Sequence, residues 1–194
     1  MNEPIGRRER KKAQTRQALA DAALKLFLER GYDNVSVKEV ADAADVAVTT
    51  LFKHFPRKEA LVFDLEDDIE AALVAAVRDR PAGQSIPAAL CEYFRHRAAT
   101  ADGNAEVAAF LRMVEETPAL LEYSRHMWLR HETALARAIA EDLGAPADDV
   151  VCTALARFAL EAGDIVYRRP KPERDVQTIF ALLEDGWTAT VPKS

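Results

Sequence analysis

The sequence predicts an all-α fold of about nine helices. Three observations carry that expectation. Apolar residues recur at three- and four-residue spacing from Leu19 almost to Val191, the period of an amphipathic helix. Only 7 of 194 residues are glycine, while 49% are hydrophobic and 30% charged, a balance that suits packed helices. Finally, no Asn-Gly or Asp-Gly pair stands between two alternating apolar runs, so no hairpin is signalled.

The elements follow in order. A first helix over about Gln14 to Arg30 puts Leu19, Ala22, Ala23, Leu26 and Phe27 on one face and stops at Gly31, where a C-terminal cap favours glycine. After the Tyr32-Asp33-Asn34 turn, Ser36-Val37-Lys38-Glu39 has capping-box spacing, so a second helix starts there and runs to Ala44. Asp45-Val46-Ala47 breaks it, and a third helix covers Val48 to His54. Pro56 disfavours helix at Phe55. A fourth helix is expected from Arg57 to about Arg80, ended by Pro81-Ala82-Gly83. Further helices are expected over Ser85–Ala101, Ala105–Glu115, Pro118–Leu143, Ala147–Tyr167 and Pro172–Thr190, separated by Gly- and Pro-containing breaks, the last at Arg168 to Pro172.

Short helix, three-residue turn and short helix over about Val37 to Phe55 is the layout of a helix-turn-helix, whose second helix reads the major groove of DNA. With Val48, Leu51 and Phe55 committed to packing, Thr49, Thr50, Lys53 and His54 face outward. Hydroxyls, a cation and an imidazole suit base edges and phosphates.

Charge supports this reading once it is resolved along the chain. The net charge is −6, but residues 1–58 carry twelve Lys and Arg against eight Asp and Glu, leaving the remainder strongly acidic. A basic head on an acidic body fits a DNA-binding module. The arm Arg7, Arg8, Arg10, Lys11, Lys12 and Arg16 offers further phosphate or minor-groove contacts. The N-terminus lacks the apolar core of a secretory signal, and no run of about 18 apolar residues could span a bilayer, so a cytoplasmic location and no membrane partner are expected. Cys91 and Cys152 are read as two buried thiols. The four histidines show no metal-binding spacing and no catalytic motif occurs, which argues against an enzyme, a metal site or a cofactor.

The run Val46-Ala47-Val48-Thr49-Thr50-Leu51-Phe52-Lys53-His54-Phe55-Pro56-Arg57-Lys58-Glu59-Ala60-Leu61 resembles the recognition-helix signature of the TetR family of transcriptional regulators. The Leu26-Phe27, Gly31-Tyr32 and Val35-Ser36-Val37 segments extend the resemblance over about residues 12–61. It implies a three-helix DNA-binding head, dimerisation through the last two helices and an effector pocket in the C-terminal body. It also implies Ser36 and Lys58 as phosphate binders. The expected DNA-binding set is Ser36, Lys38, Thr49, Thr50, Phe52, Lys53, His54 and Lys58. Three positions depart from the family pattern. Phe52 stands where Tyr is usual and loses a phosphate-bonding hydroxyl, Asp45 replaces the turn Gly, and Ala47 replaces a Ser or Thr cap.

Residues 1–58 are accordingly read as arm and DNA-binding domain, and 59–194 as a ligand-binding and dimerisation domain. For an effector site the bulky residues Phe94, Phe110, Met113, Tyr123, Met127, Trp128 and Phe158 are the candidates, suited to a lipophilic ligand. The segment from Phe110 to Leu120 also resembles a TetR subgroup with acyl-coenzyme-A-like ligands. For a homodimer interface the candidates are Val151, Leu155, Ile179, Phe180, Leu183 and Trp187. The expected partners are therefore palindromic double-stranded operator DNA, a second copy of the chain and a small-molecule effector. The rival reading is a helix-turn-helix protein that binds DNA constitutively without an effector.

Overall fold

Helix α1 spans Arg7–Arg30, starting two turns earlier than its apolar periodicity suggested. The early turns contain no Gly or Pro after Gly6, so nothing in the backbone halts the helix before its apolar face begins at Leu19. The computed structural model describes residues 6–167, 169 and 172–190. Among these lie nine α-helices and no strand. After α1 come α2 (Val37–Ala43), α3 (Val48–His54), α4 (Glu66–Arg78), α5 (Ile86–Ala101), α6 (Ala105–Glu116), α7 (Pro118–Leu143), α8 (Val150–Tyr167) and α9 (Pro172–Thr190). Single 3₁₀ turns occupy Tyr32–Asn34 and Glu59–Leu61. The break expected at Arg168 to Pro172, and the end of the periodicity at Val191, fall largely outside the described residues.

The fourth helix is corrected. Instead of running unbroken from Arg57, the chain makes the Glu59–Leu61 turn and starts α4 only at Glu66. Ala60, Leu61, Val62 and Phe63 are all buried, and four consecutive inward residues cannot share one face of an α-helix. Helix α8 likewise starts at Val150, not Ala147, because the Asp149 carboxylate accepts from the amides of Val151 and Cys152, each at 2.9 Å.

The described residues fall into two compact units. One is Met1–Leu65 with Ala109–Ser124, the other Glu66–Ala108 with Arg125–Ser194. In the first, Leu19, Ala23 and Phe27 of α1 close over Val40 and Ala41 of α2, Leu51 of α3 and Phe55, all essentially solvent-free. Phe63 stacks on Tyr123 and meets Phe110 edge-on, with ring centroids 5.3 and 6.1 Å away. The second unit has its core where α4, α5, α8 and α9 meet the later part of α7, around Leu73, Leu90, Phe94, Ile139, Ala159 and Phe180. Arg80 and Asp142 form a two-pronged ion pair at 2.7 and 2.6 Å. Cys152 is buried as expected, but Cys91 is only half-buried. No helix among the described residues is long and apolar enough to cross a membrane.

Candidate functional site

The site is built from the start of α2. The amide of Glu39 donates to Ser36 Oγ at 3.2 Å while Ser36 N donates to Glu39 Oε2 at 2.8 Å, completing the capping box that the spacing announced. Arg30 adds a 2.7 Å ion pair from α1. These bonds to Ser36, with the Arg30 charge behind them, pull the Glu39 carboxyl down to about 2 from its ordinary 4.5. Since the folded value is the lower one, the contribution is fully present above about pH 4.5 and is lost as pH falls towards 2. Thermal melts over that window should fall faster for the wild type than for Glu39→Gln. Parallel curves would remove Glu39 from the account.

Asp45, at the position of the family's turn Gly, has φ +53°, a left-handed conformation that Asp adopts more readily than most residues. Ala47 occupies the N-cap of α3 without a side-chain bond. Leu51 and Phe55 pin α3 to the head, which leaves Thr49, Lys53 and Phe52 exposed, Phe52 by 47%. Thr50 and His54 sit half-buried at the edge of this face. Burial, then the charges of Lys12 and Arg16, lowers the His54 pKa. Lys38 of α2 is exposed and pairs with Asp42, one turn along the same helix, at 2.7 Å.

Two cations, Arg16 of the basic arm and Lys58, make contacts within the head that their sequence positions do not signal. Arg16 donates to the carbonyl oxygens of His54 at 3.0 Å and Asp64 at 2.8 Å, and its guanidinium lies 4.4 Å from the Phe55 ring centroid. It therefore caps the C-terminal end of α3, where unpaired carbonyls attract a cation. Nothing in the spacing distinguishes it from its basic neighbours. Lys58 donates to the carbonyl of Tyr32 at 2.6 Å and covers that ring at 4.0 Å, and its partial burial lowers its pKa. That bond takes one of its three ammonium protons. The remaining cations, Arg7, Arg8, Arg10, Lys11 and Lys12, line two exposed turns of helix.

This head matches, over residues 19–65, the family model for bacterial regulatory proteins of the tetR family. Beyond the head, the chain is 38% identical over 152 residues to the HTH-type transcriptional regulator TcmR of Streptomyces glaucescens, covering 74% of this chain and 67% of TcmR. The chain belongs to the tetR family. It is thus a DNA-binding transcriptional regulator, and the related proteins are regulators and not enzymes. The fold agrees with solved structures, a TetR-family repressor among them. The repressor AlkX of Dietzia sp. strain DQ12-45-1b superposes with a TM-score of 0.62 at 18% identity, covering 90% of this chain and 98% of AlkX. A SmeT–triclosan complex does so at 0.60 and 16% identity, over 93% and 96% of the two chains.

In this tetR-family chain the body residues separate by environment. In the first unit Phe110, Met113 and Tyr123 are half-buried. In the second, Phe94 is locked in the core, Met127 is buried and Trp128 is half-buried against His131. Phe158, the seventh effector candidate, is 55% exposed. A groove of about 410 Å³ along α4 and α5, lined by Ala72, Ala76, Tyr93 and His96 among others, contains none of the seven.

The dimer candidates also divide. Leu155 and Phe180 are spent inside their own chain, while Ile179, Leu183 and Trp187 pack partly against the same core. Val151 is half-buried. The apolar residues left outside are Val150 at 77%, Phe158 at 55% and Ile165 at 49% on α8, with Leu182 at 71% on α9. The exposed apolar residues of α8 stand among the exposed charges Arg157, Glu161 and Asp164, next to the stripe that the spacing picked out.

Proposed function

We propose that this regulator is a ligand-responsive repressor that binds a palindromic operator as a homodimer and is released by a small lipophilic effector. The observation that carries the DNA-binding part is the outward face of α3. Thr49 and Lys53 stand free of the packing that holds Leu51 and Phe55, beside half-buried Thr50 and His54. Thr49 and Thr50 read bases. Lys53, His54, Ser36, Lys38 and the free protons of Lys58 meet phosphates, and Phe52 packs on the sugar-phosphate backbone.

The homodimer rests on the family and on the exposed stripe Val150, Phe158, Ile165 and Leu182. Large apolar side chains left this exposed mark an association surface. Two-fold pairing through α8 and α9 would present two α3 helices to successive major grooves, about 34 Å apart. The effector part is supported by the solved SmeT–triclosan complex, a neighbour in fold, and by the half-buried and buried aromatic and Met side chains of the body.

The test pairs sedimentation with binding to palindromic DNA selected from a random pool. The wild type should sediment as a dimer, and the double variant Phe158→Arg, Leu182→Arg as a monomer that has lost cooperative operator binding. In the folded wild-type background, Lys53→Ala should reduce the slope of log affinity against log salt by about one. A monomeric wild type that binds the palindrome at full affinity would refute the dimer.

A further inference from the structure

We propose that His131 is the hydrogen-bond acceptor of the effector site, so that the effector carries an O–H or N–H donor on a lipophilic frame and no negative charge. This rests on the effector reading given above and narrows its chemistry.

His131 lies on α7 with only 2% of its surface exposed. Its Nε2 is 3.1 Å from the backbone carbonyl oxygen of Glu66, the first residue of α4. A carbonyl oxygen can only accept, so Nε2 carries a proton and donates it. Burial holds the imidazole below its usual pKa, which keeps the ring neutral and leaves Nδ1 as a bare lone pair. That nitrogen is buried and finds no partner in the chain. Buried polar atoms are satisfied so regularly that an unsatisfied acceptor held in a fixed tautomer points to a donor from elsewhere.

The surroundings select the donor. Trp128 stands perpendicular to the imidazole, with ring centroids 5.3 Å apart, and Met127 beside it is buried. These side chains suit an aromatic or otherwise lipophilic frame. The charged groups that act on the ring are Glu66 and Glu70 of α4 and Arg130 of α7, and Arg130 is already engaged by Glu66 at 2.7 Å. A carboxylate has no hydrogen to offer at neutral pH and would bring its own lone pairs against Nδ1, and a phosphate would carry its negative charge into the same buried, lipophilic surroundings. A neutral hydroxyl, an amide N–H or an ammonium meets no such opposition.

The experiment uses the full chain labelled with ¹⁵N-histidine, His131 being assigned by the signal lost in His131→Phe. Phenol, anisole and benzoate are the probes, since they share a ring and differ in donor and charge. Phenol should move the Nδ1 resonance saturably towards the hydrogen-bonded position and bind about five- to tenfold more tightly than anisole. Benzoate should leave Nδ1 unmoved, and His131→Phe should bind phenol and anisole alike. The proposal is overturned if phenol and anisole bind equally to the wild type, if no probe moves Nδ1, or if Nδ1 is already at the bonded position before any probe is added. Should His131→Phe fail to fold, the phenol and anisole comparison on the wild type still decides. The two readings fail separately. An effector that lacks any donor yet releases operator DNA would sink the acceptor role and spare the effector. Phenol engaging Nδ1 in a protein that no ligand releases from DNA would do the reverse.

Discussion

Replacing Gly163 with alanine is expected to destabilise the protein by about 2 kcal/mol, although alanine is the better helix former. A glycine inside a helix costs about 1 kcal/mol relative to alanine, so the substitution has a local gain to its credit. Against it stands the Phe94 ring of α5. A Cβ on Gly163 would meet Phe94 Cε1 at 2.4 Å and Cδ1 at 2.8 Å. The ring has nowhere to retreat, because it stacks on Phe180 at 5.7 Å and meets Tyr93 edge-on at 5.0 Å. Overpacking a filled core costs about 1–3 kcal/mol, and a contact this short belongs at the upper end, so the clash outweighs the propensity. Denaturant unfolding at fixed protein concentration measures the difference. The double variant Gly163→Ala, Phe94→Leu should recover part of the loss, giving a coupling that independent sites do not give. Unchanged stability in Gly163→Ala would mean that α5 and α8 can separate freely.

Arg16→Ala should lower the melting point of the DNA-free protein, by about 2–3 kcal/mol in stability, and weaken operator binding as a consequence. The side chain supplies two charge-assisted bonds, to the carbonyls of His54 and Asp64, and covers the Phe55 ring. Each such bond contributes about 1.5–3 kcal/mol and the ring contact about 0.5–2, but the site is only part-buried and water replaces much of what is removed. Arg16→Lys should recover less than half, since a single ammonium cannot bridge two carbonyls as the planar guanidinium does. The control is Arg8→Ala on the exposed part of α1, which should leave the melting point unchanged and affect only the salt dependence of DNA binding. An unaltered melting point for Arg16→Ala would return that residue to the basic arm.

These two residues mark where sequence reasoning reached its limit. The bounds of α3 and the capping box of α2 were legible because a cap, a turn and Pro56 are local signals. The start of α4 was not, because Leu61, Val62 and Phe63 are compatible with a helix until the core claims all three. In α8 two neighbouring apolar stripes look alike in sequence, and only packing reveals that Leu155 faces inward while Phe158 faces out. Nothing in the local pattern around Gly163 shows that its missing side chain makes room for the Phe94 ring, 69 residues earlier in the chain. The split of the basic arm into structural Arg16 and exposed neighbours depends on carbonyls 38 and 48 residues away, beyond any local pattern. The polar partner of His131 is likewise 65 residues distant.

The opening turns of α1 behave differently from the rest of the head. From Arg7 to Gln14 every side chain is exposed, and Arg7 with Lys11, and Arg8 with Lys12, set like charges four residues apart. A helical segment with no buried face and such repulsion lies close to the coil–helix balance, held mainly by the helix it extends. Phosphates that neutralised those cations would tip the balance towards helix, so part of the ordering entropy would fall at the moment of DNA contact. Such a segment would give up some equilibrium affinity for a wider capture radius. A frayed helix end sweeps a larger volume than a rigid one, so a first electrostatic encounter made there would not have to wait for α3 to face its groove.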